Sequence, residues 1–147
     1  MDYEVKNDRL YLLIEHAIHG DLFQFIQSDK KKSYWCILKM FYKIVQSVNY
    51  LHSKRIIHRD IKPENILLTQ NYRPKLADFG TSVLKGNSKN TFCGTCEYMS
   101  PEIFLNKEQT TKVDVWALGI LLFEMITKRS PFKDLTLNKT IRKIRLR

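Results

Sequence analysis

The chain has 147 residues and a formal net charge of +10, and 44% of its residues are hydrophobic and 27% charged. This composition is ordinary for a globular domain and too apolar for a disordered chain, and the length fits one domain with its own core. The longest uncharged apolar stretch, residues 115–123, is about half as long as a bilayer span, so we expect no transmembrane helix and no membrane partner.

The first residues lack the basic and apolar regions of a secretory signal. The sequence contains three cysteines, an odd number, which favours a reducing compartment over a disulfide framework. We therefore expect an intracellular protein, either cytoplasmic or nuclear.

Basic charge is concentrated at the C-terminal end, where residues 128–147 hold eight basic side chains and one acidic side chain. Such a segment would suit nucleic acid or an anionic surface. No aromatic interleaving or recognised binding motif accompanies it, so we expect no nucleic acid partner. We interpret it as an amphipathic helix that ends before its packing partner.

The first predicted elements are one strand and two helices. An apolar run predicts a strand over residues 10–14, and Asp21 is a plausible N-cap for a short helix over 22–27. A long helix is predicted over residues 34–53, because apolar residues recur there at helical spacing. These positions are Ile37, Phe41, Ile44, Val45, Val48 and Leu51.

Short strand-like runs follow at residues 55–57, 66–68 and 75–77, and we expect Pro63 and Pro74 to separate them. Periodicity is lost over 78–98, which predicts a long functional loop. Ser100 and Pro101 then have the pattern of a helix start. A helix over about 113–127 is apolar on every side, which predicts a central helix without a wet face, and a last helix is expected to begin near Thr136.

Three motifs in a fixed order carry the chemistry. They read HRDIKPEN at residues 58–65, DFG at 78–80 and GTCEYMSPE at 94–102, and DVWALG follows at 114–119. Together they resemble the catalytic loop, magnesium loop and activation segment of eukaryotic protein kinases, over essentially the whole chain. Lys62 with Thr95 is typical of the serine/threonine type, and the activation segment favours Aurora-like or cyclic-AMP-dependent kinases.

The resemblance implies an α+β protein-kinase-like fold, mainly the helical large lobe with the hinge and the last small-lobe strand. Residues 1–20 would form that strand and the hinge, and residues 21–147 the large lobe, incomplete at its C-terminal end.

Phosphoryl transfer depends on positioning and on neutralising charge rather than on covalent chemistry. By resemblance, Asp60 would accept the proton of the substrate hydroxyl and Lys62 would place a cation against the γ-phosphate. Asn65 and Asp78 would ligate Mg²⁺, which prefers hard oxygen donors. A hairpin of the runs 66–68 and 75–77 would hold these ligands opposite each other. ATP and Mg²⁺ are the implied cofactors.

The resemblance also implies a nucleotide site. Ile14 would be the gatekeeper, and hinge backbone groups would pair with adenine. Asp21 would reach the ribose hydroxyls, although Asp21 can also be a plain helix cap. The residues assigned to ATP binding are Glu15, Ala17, Asp21, Glu64 and Leu67.

Regulation is implied by the activation segment. Arg59 precedes the catalytic Asp60, and in kinases with that arginine a loop phosphate commonly pairs with it. Thr91 stands at the position of that phosphothreonine, which implies an upstream activating kinase. Thr95 would instead face the catalytic loop and contact Asp60 and Lys62.

The implied partners are protein substrates that carry serine or threonine, with basic residues upstream of the target. Glu64, Glu124 and Asp21 match acidic positions that read such arginines in basophilic kinases. Glu124 could equally be a structural acid at the edge of the central helix.

Several family features are missing. The sequence holds no glycine-rich phosphate loop, no strand lysine in a Val-Ala-x-Lys context and no glutamate to pair with it. It also stops at Arg147, before the later helix whose arginine would pair with Glu102. We therefore expect a fragment with poor stability and little kinase activity on its own. The alternative is a catalytically inactive, pseudokinase-like binding or regulatory module, although intact Asp60, Asn65 and Asp78 favour descent from an active enzyme.

Cys93 and Cys96 form a C-x-x-C pair. It lacks a second ligand pair or nearby histidines for zinc, and no thioredoxin-like βαβ pattern surrounds it. We expect two loop cysteines without redox function.

Overall fold

A computed structural model describes residues 2–29, 32–86 and 94–146. The chain begins with an antiparallel hairpin of β1 (Asp2–Lys6) and β2 (Arg9–Leu13), in which Val5 lies opposite Leu10. The predicted strand over 10–14 is therefore present, one residue earlier, while β1 was not predicted. The two turn residues Asn7 and Asp8 have φ of 49° and 58°, the conformation that a two-residue hairpin turn requires.

The first two helices have the predicted bounds. In α1 (Leu22–Gln27), Asp21 Oδ1 accepts the backbone N–H of Gln24 at 2.8 Å, which is the expected N-cap. Ser33 caps α2 (Tyr34–Ser53) in the same way, because its hydroxyl accepts the N–H of Cys36 at 3.2 Å. The buried positions of α2 are Ile37, Met40, Ile44 and Val48, while Phe41 and Val45 are partly buried against the core.

Four short strands form two further antiparallel pairs. β3 (Ile56–Ile57) pairs with β6 (Val83–Leu84), and β4 (Ile66–Leu68) pairs with β5 (Pro74–Leu76). The prediction that Pro74 separates strands was wrong. Pro74 is the first residue of β5, where a residue without an N–H is tolerated. β6 lies inside the stretch that was predicted to be irregular.

Three helices complete the chain: α3 (Pro101–Phe104), α4 (Lys112–Thr127) and α5 (Leu137–Arg145). Ser100 precedes α3 as predicted, but its side chain makes no capping bond. The prediction that α4 has no wet face was wrong, since the exposed fractions of Val115 and Phe123 are 59% and 44%. Thr136 caps α5 as expected by accepting the N–H of Lys139 at 3.4 Å.

The core lies where α2 packs against α4 and against the β4–β5 hairpin. A smaller apolar cluster is made of Ile57, Met99, Ile103 and Val113, while Ile61 belongs to the main core. The HRD motif at residues 58–60 therefore lies in the chain between a residue of each cluster. Helices and two-stranded sheets together confirm the predicted α+β class. Among the residues described, none of the helices has the length and apolar character needed to cross a bilayer.

Candidate active site

A buried carboxylate organises the backbone before Asp60. Asp114, in the first turn of α4, accepts the backbone N–H of His58 at 2.9 Å and that of Arg59 at 2.8 Å. Arg59 has φ of 68°, a left-handed conformation that costs free energy in a non-glycine residue. His52 Nε2 lies 2.7 Å from the same carboxylate. Asp114 thus holds a strained backbone in place.

His58 is fully buried and links two parts of the site. Its Nε2 lies 3.1 Å from the carbonyl oxygen of Ala77, and its Nδ1 accepts the backbone N–H of Asp60 at 3.3 Å. Burial lowers the pKa of His58, although the carbonyl of Ala77 and nearby carboxylates oppose this. A neutral ring that donates from Nε2 and accepts at Nδ1 fits both contacts.

The Asp60 carboxylate is the most heavily hydrogen-bonded group of the site. Lys62 Nζ lies 2.9 Å from Oδ2, and Asn65 Nδ2 donates to the same oxygen at 2.9 Å. Thr95 donates to Oδ1 from its backbone N–H at 3.1 Å and from its hydroxyl at 3.4 Å. Lys62 also donates to the Thr95 hydroxyl at 2.8 Å, so the predicted contacts of Thr95 are present.

These contacts decide the charge of Asp60. Burial alone would raise the pKa of its carboxyl, but the hydrogen bond and charge of Lys62 lower it, as do the bonds from Thr95 and Asn65. The net pKa is below the ordinary value, so Asp60 is ionised at neutral pH and can accept a proton.

The β4–β5 hairpin brings together the two chain segments that carry Asn65 and Asp78. Ile66 pairs with Leu76, and Ala77, the residue before Asp78, donates its N–H to the carbonyl of Asn65 at 2.9 Å. Asp78 has φ of 59°, and its exposed carboxylate accepts the N–H of Gly80 at 3.2 Å.

The donors present fit a magnesium ion. Asn65 uses its amide nitrogen for both contacts with Asp60, so its amide oxygen stays outside those bonds. One amide oxygen and one carboxylate are suitable for Mg²⁺, which is commonly bound through one or two carboxylates plus substrate phosphates. Groups of three or more His, Cys, Asp or Glu side chains suited to a metal are absent from the described part of the chain.

Gly94 closes the activation segment onto the HRD motif. It has φ of +99°, and a Cβ atom there would lie 2.8 Å from the carbonyl oxygen of Arg59. Both the conformation and the close approach require glycine, and together they set the position of the adjoining Thr95.

The predicted regulatory pair is only partly described. Thr91 lies outside the described residues, as does Cys93 of the C-x-x-C pair. The half-buried Arg59 donates from Nε to the carbonyl of Thr81 at 2.7 Å and from Nη1 to Gln109 at 3.4 Å. Cys96 is free and half-buried, and burial and the charge of Glu97 raise the pKa of its thiol, which disfavours a reactive thiolate.

Two of the residues assigned to ATP binding lie side by side. Asp21 forms a β-bridge with Leu67, and Leu68 donates its N–H to the carbonyl of Gly20 at 2.8 Å, so the segment before α1 is fixed onto β4. Both carboxylate oxygens of Asp21 accept hydrogen bonds from Gln24.

The other assigned residues are more scattered. Glu15 is exposed and pairs with Lys75 of β5, and Ala17 is half-buried with its carbonyl accepting the N–H of Gly20 at 3.1 Å. Glu64 is exposed in a 3₁₀ turn, Pro63–Asn65, next to the catalytic loop.

Glu124 occupies a buried position rather than an open surface. The hydroxyl of Tyr98 donates to its carboxylate, and burial raises the pKa of both groups. For Glu124 the charges of Glu64 and Glu97 add to this effect. This placement agrees with the alternative interpretation of Glu124 as a structural acid.

The sequence motifs included Asp114 and His58 but assigned neither a role, and His52 was not singled out. A signal for Asp114 was present, because a lone carboxylate in the first turn of a strongly apolar helix needs buried donors. No local pattern, however, indicates that those donors are the N–H groups of residues 58 and 59.

Comparison with known proteins agrees with this geometry. The family model described as "Protein kinase domain" matches residues 1–147, and the chain belongs to this family. It is 41% identical to an Aurora kinase of Candida glabrata over 138 residues, covering 92% of this chain and 38% of that protein. It is 43% identical to an Aurora kinase of Schizosaccharomyces pombe over 129 residues, covering 87% and 36%.

A mouse protein, Aurora kinase C, is 36% identical over 145 residues, covering 98% of this chain and 52% of that protein. Of the two groups that the activation segment favoured, these relatives belong to the Aurora-like one. The chain spans about 38% of the length of the Candida glabrata relative.

Proposed function

We propose that this chain carries the phosphoryl-transfer site of a serine/threonine protein kinase that uses ATP and Mg²⁺. The observation that supports this most directly is the carboxylate of Asp60, held by Lys62, Asn65 and Thr95. In this proposal residues 1–20 belong to the end of the small lobe, as the β1–β2 hairpin where one strand was expected, and to the hinge, and residues 21–147 belong to the large lobe.

Asp60 accepts the proton of the substrate hydroxyl. Each of its oxygens already accepts two contacts, and the longest is the 3.4 Å bond from the Thr95 hydroxyl to Oδ1. A substrate hydroxyl that replaces this bond gains an ionised acceptor without breaking the contacts of Lys62 or Asn65. The Thr95 hydroxyl still accepts the hydrogen bond from Lys62 at 2.8 Å, while its own O–H turns to another acceptor.

Asn65 and Asp78 are the residues that would hold the metal. When bound there, Mg²⁺ with ATP supplies the transferred group and neutralises charge on its phosphates. Asn65 would link the two functions, because its amide nitrogen donates to Asp60 and leaves the amide oxygen to bind the cation. The ammonium group of Lys62 adds positive charge beside the same carboxylate.

We extend the proposal to nucleotide contacts, substrates and regulation. Glu15 and Ala17 would bind adenine through their backbone, and Leu67 would lie under the adenine ring. Asp21 would reach the ribose, and Glu64 is the remaining residue assigned to ATP binding. The substrates would be proteins that carry serine or threonine with basic residues upstream. An upstream kinase would phosphorylate Thr91, and that phosphate would pair with Arg59. The protein would act in the cytoplasm or the nucleus.

Nucleotide binding can be tested on the chain itself. We expect millimolar ATP to raise its unfolding temperature only when Mg²⁺ is present. Asp78→Asn should abolish the magnesium-dependent part of the shift, whereas Asp29→Asn, which alters an exposed carboxylate after α1, should leave it unchanged. A wild-type chain that shows no shift would contradict nucleotide binding and favour the pseudokinase-like binding module.

Transfer itself is tested on the native protein isolated from its source, after its intact mass has been measured. We expect labelled phosphate from ATP to reach serine in a basic peptide. Asp60→Asn should lower the rate about 10²–10⁴-fold, the usual contribution of a general base. ATP affinity should stay within twofold. A variant that retains the full rate would exclude Asp60 as the base.

A further inference from the structure

A continuous groove runs along α2 on the side of the turn that joins β4 to β5. It consists of three adjoining cavities of about 660, 360 and 740 Å³. Asn71 and Tyr72 line the first two cavities, and Lys43 lines the second and the third. We call this feature the α2 groove.

One stripe of α2 forms a wall of this groove. Cys36, Lys39, Lys43, Ser47 and Tyr50 all line it and follow one another three or four residues apart, which places them on one helix face. The helix rises about 21 Å between Cys36 and Tyr50 at 1.5 Å per residue. About six residues of an extended peptide span the same distance.

The floor of the groove is aromatic and fixed in place. The Tyr72 ring stacks on His19 with 3.9 Å between centroids, and it lies 5.6 Å from the ring of Phe25. Trp35 and Tyr50 add exposed aromatic surface farther along, with exposed fractions of 74% and 62%. Such rings bind side chains at little cost in conformational entropy.

The charge on the groove has one sign. Residues 30–59 contain no aspartate or glutamate, and the three cavities are lined by Lys32, Lys39, Lys43 and Lys75 without an acidic side chain. Lys75 is paired with Glu15, and Lys32 donates to Ser28. Lys39 and Lys43 are exposed, and within the described part of the chain their ammonium groups form no ion pair.

We propose that the α2 groove docks an extended acidic segment of a partner protein, about six residues long, in which carboxylates alternate with apolar side chains. The carboxylates pair with Lys39 and Lys43, and the apolar side chains pack on Tyr72 and Tyr50. Charge complementarity favours this occupant, and the aromatic floor favours a peptide over a purely ionic ligand. The groove contains neither Asp60 nor Asp78, although Phe79 of the DFG motif lines its third cavity, so docking is tested without ATP.

The probe is a fluorescein-labelled peptide of eight residues that alternates glutamate with leucine or phenylalanine, and binding is measured by fluorescence anisotropy without ATP. The first control replaces the apolar residues by serine and keeps the charge. The second control is a single-stranded DNA oligonucleotide of the same net charge. We call the probe the mixed peptide and the first control the serine peptide. We expect the mixed peptide to bind about tenfold more tightly than either control, because only the mixed peptide uses both the lysines and the rings.

Two double variants with the same change in net charge separate docking from general attraction to a basic chain. Lys39→Glu with Lys43→Glu should weaken binding of the mixed peptide about tenfold or more, since both pairs become repulsive. Lys107→Glu with Lys112→Glu alters exposed lysines outside the groove and should change the dissociation constant less than twofold. Tyr50→Ser should weaken the mixed peptide and leave the serine peptide unaffected. Circular dichroism checks that each variant is folded.

Equal weakening by the two double variants would overturn the proposal, because the attraction would then be general. Equal affinity for the mixed and serine peptides would overturn the role of the rings. Tighter binding of the oligonucleotide would assign the groove to nucleic acid instead. No measurable binding of the mixed peptide would exclude docking of this chemistry. Each of these results can occur whether or not ATP is bound or turned over.

Discussion

The carboxylate of Asp114 in α4 accepts the backbone N–H of Arg59 at 2.8 Å while Arg59 holds φ of 68°. The two residues are 55 positions apart in the chain, so this contact depends on the tertiary fold and not on their neighbours in the sequence. The left-handed turn at Arg59 directs the next residue, Asp60, toward Lys62 and Asn65. A helix of the core therefore positions the candidate catalytic base.

Asp114→Asn should destabilise the fold by about 1–3 kcal/mol. The amide can replace one accepting oxygen, but its NH₂ group then faces a backbone N–H and leaves that buried donor unpaired. Urea unfolding monitored by circular dichroism measures the loss.

Asp29→Asn is the matched control for this change. Asp29 is exposed just after α1, where surface charges contribute little, so the unfolding midpoint of this variant should not move measurably. An equally small effect at Asp114 would show that its two hydrogen bonds do not support the HRD backbone.

Stability should fall as the pH is lowered from 7.5 to 5.5, in part through His58. Burial lowers the pKa of His58 in the folded state below its ordinary value of 6.5, so the unfolded chain binds a proton more readily. The contribution is therefore complete above pH 6.5 and is lost as the pH falls below it, with a slope of at most about 1.4 kcal/mol per pH unit.

His58→Gln removes this titration while keeping a donor for the carbonyl of Ala77. We expect urea unfolding at several pH values to give a shallower slope in this variant, whatever its absolute stability. His16→Gln, at an exposed position, should retain the wild-type slope. Identical slopes in the wild type and His58→Gln would contradict a buried neutral His58.

Two glycine substitutions should have opposite signs. Gly94→Ala should cost about 1–3 kcal/mol, because φ of +99° is strained for alanine and the new Cβ would meet the carbonyl of Arg59. Gly119→Ala, in α4 with no atom within 4 Å of the added Cβ, should gain up to about 1 kcal/mol of helix stability. Chemical denaturation distinguishes them, and stabilisation by Gly94→Ala would refute the close packing at Arg59.

Asp21 allows its two suggested roles to be separated. Asp21→Ala should cost about 0.5–2 kcal/mol through loss of the N-cap of α1, whereas Asp21→Ser retains a capping oxygen and should stay within about 0.5 kcal/mol of wild type. If Asp21 also binds ribose, Asp21→Ser should lower the affinity for ATP in an equilibrium binding assay. Unchanged ATP affinity in Asp21→Ser would leave Asp21 with the capping role alone.

Local sequence patterns were sufficient for much of the fold. The cap Asp21 located α1, because a helix end depends on residues only three positions apart, and apolar spacing located α2. The turn residues Asn7 and Asp8 could have revealed β1. The strand β6 could not be foreseen, since two residues pair only after β3 has been brought beside them.

The sequence by itself determined the order and the chemistry of the motifs, because Asp60, Lys62, Asn65 and Asp78 are recognisable by type and spacing. Only the tertiary structure decided which groups orient them. Three sets of contacts join positions 26 to 56 residues apart: the hydrogen bonds that Asp114 accepts from residues 58 and 59, the approach of Gly94 to Arg59, and the burial of Glu124 against Tyr98. Such contacts depend on how α4 packs against α2, and that packing follows from the burial of the whole core rather than from any local stretch of residues.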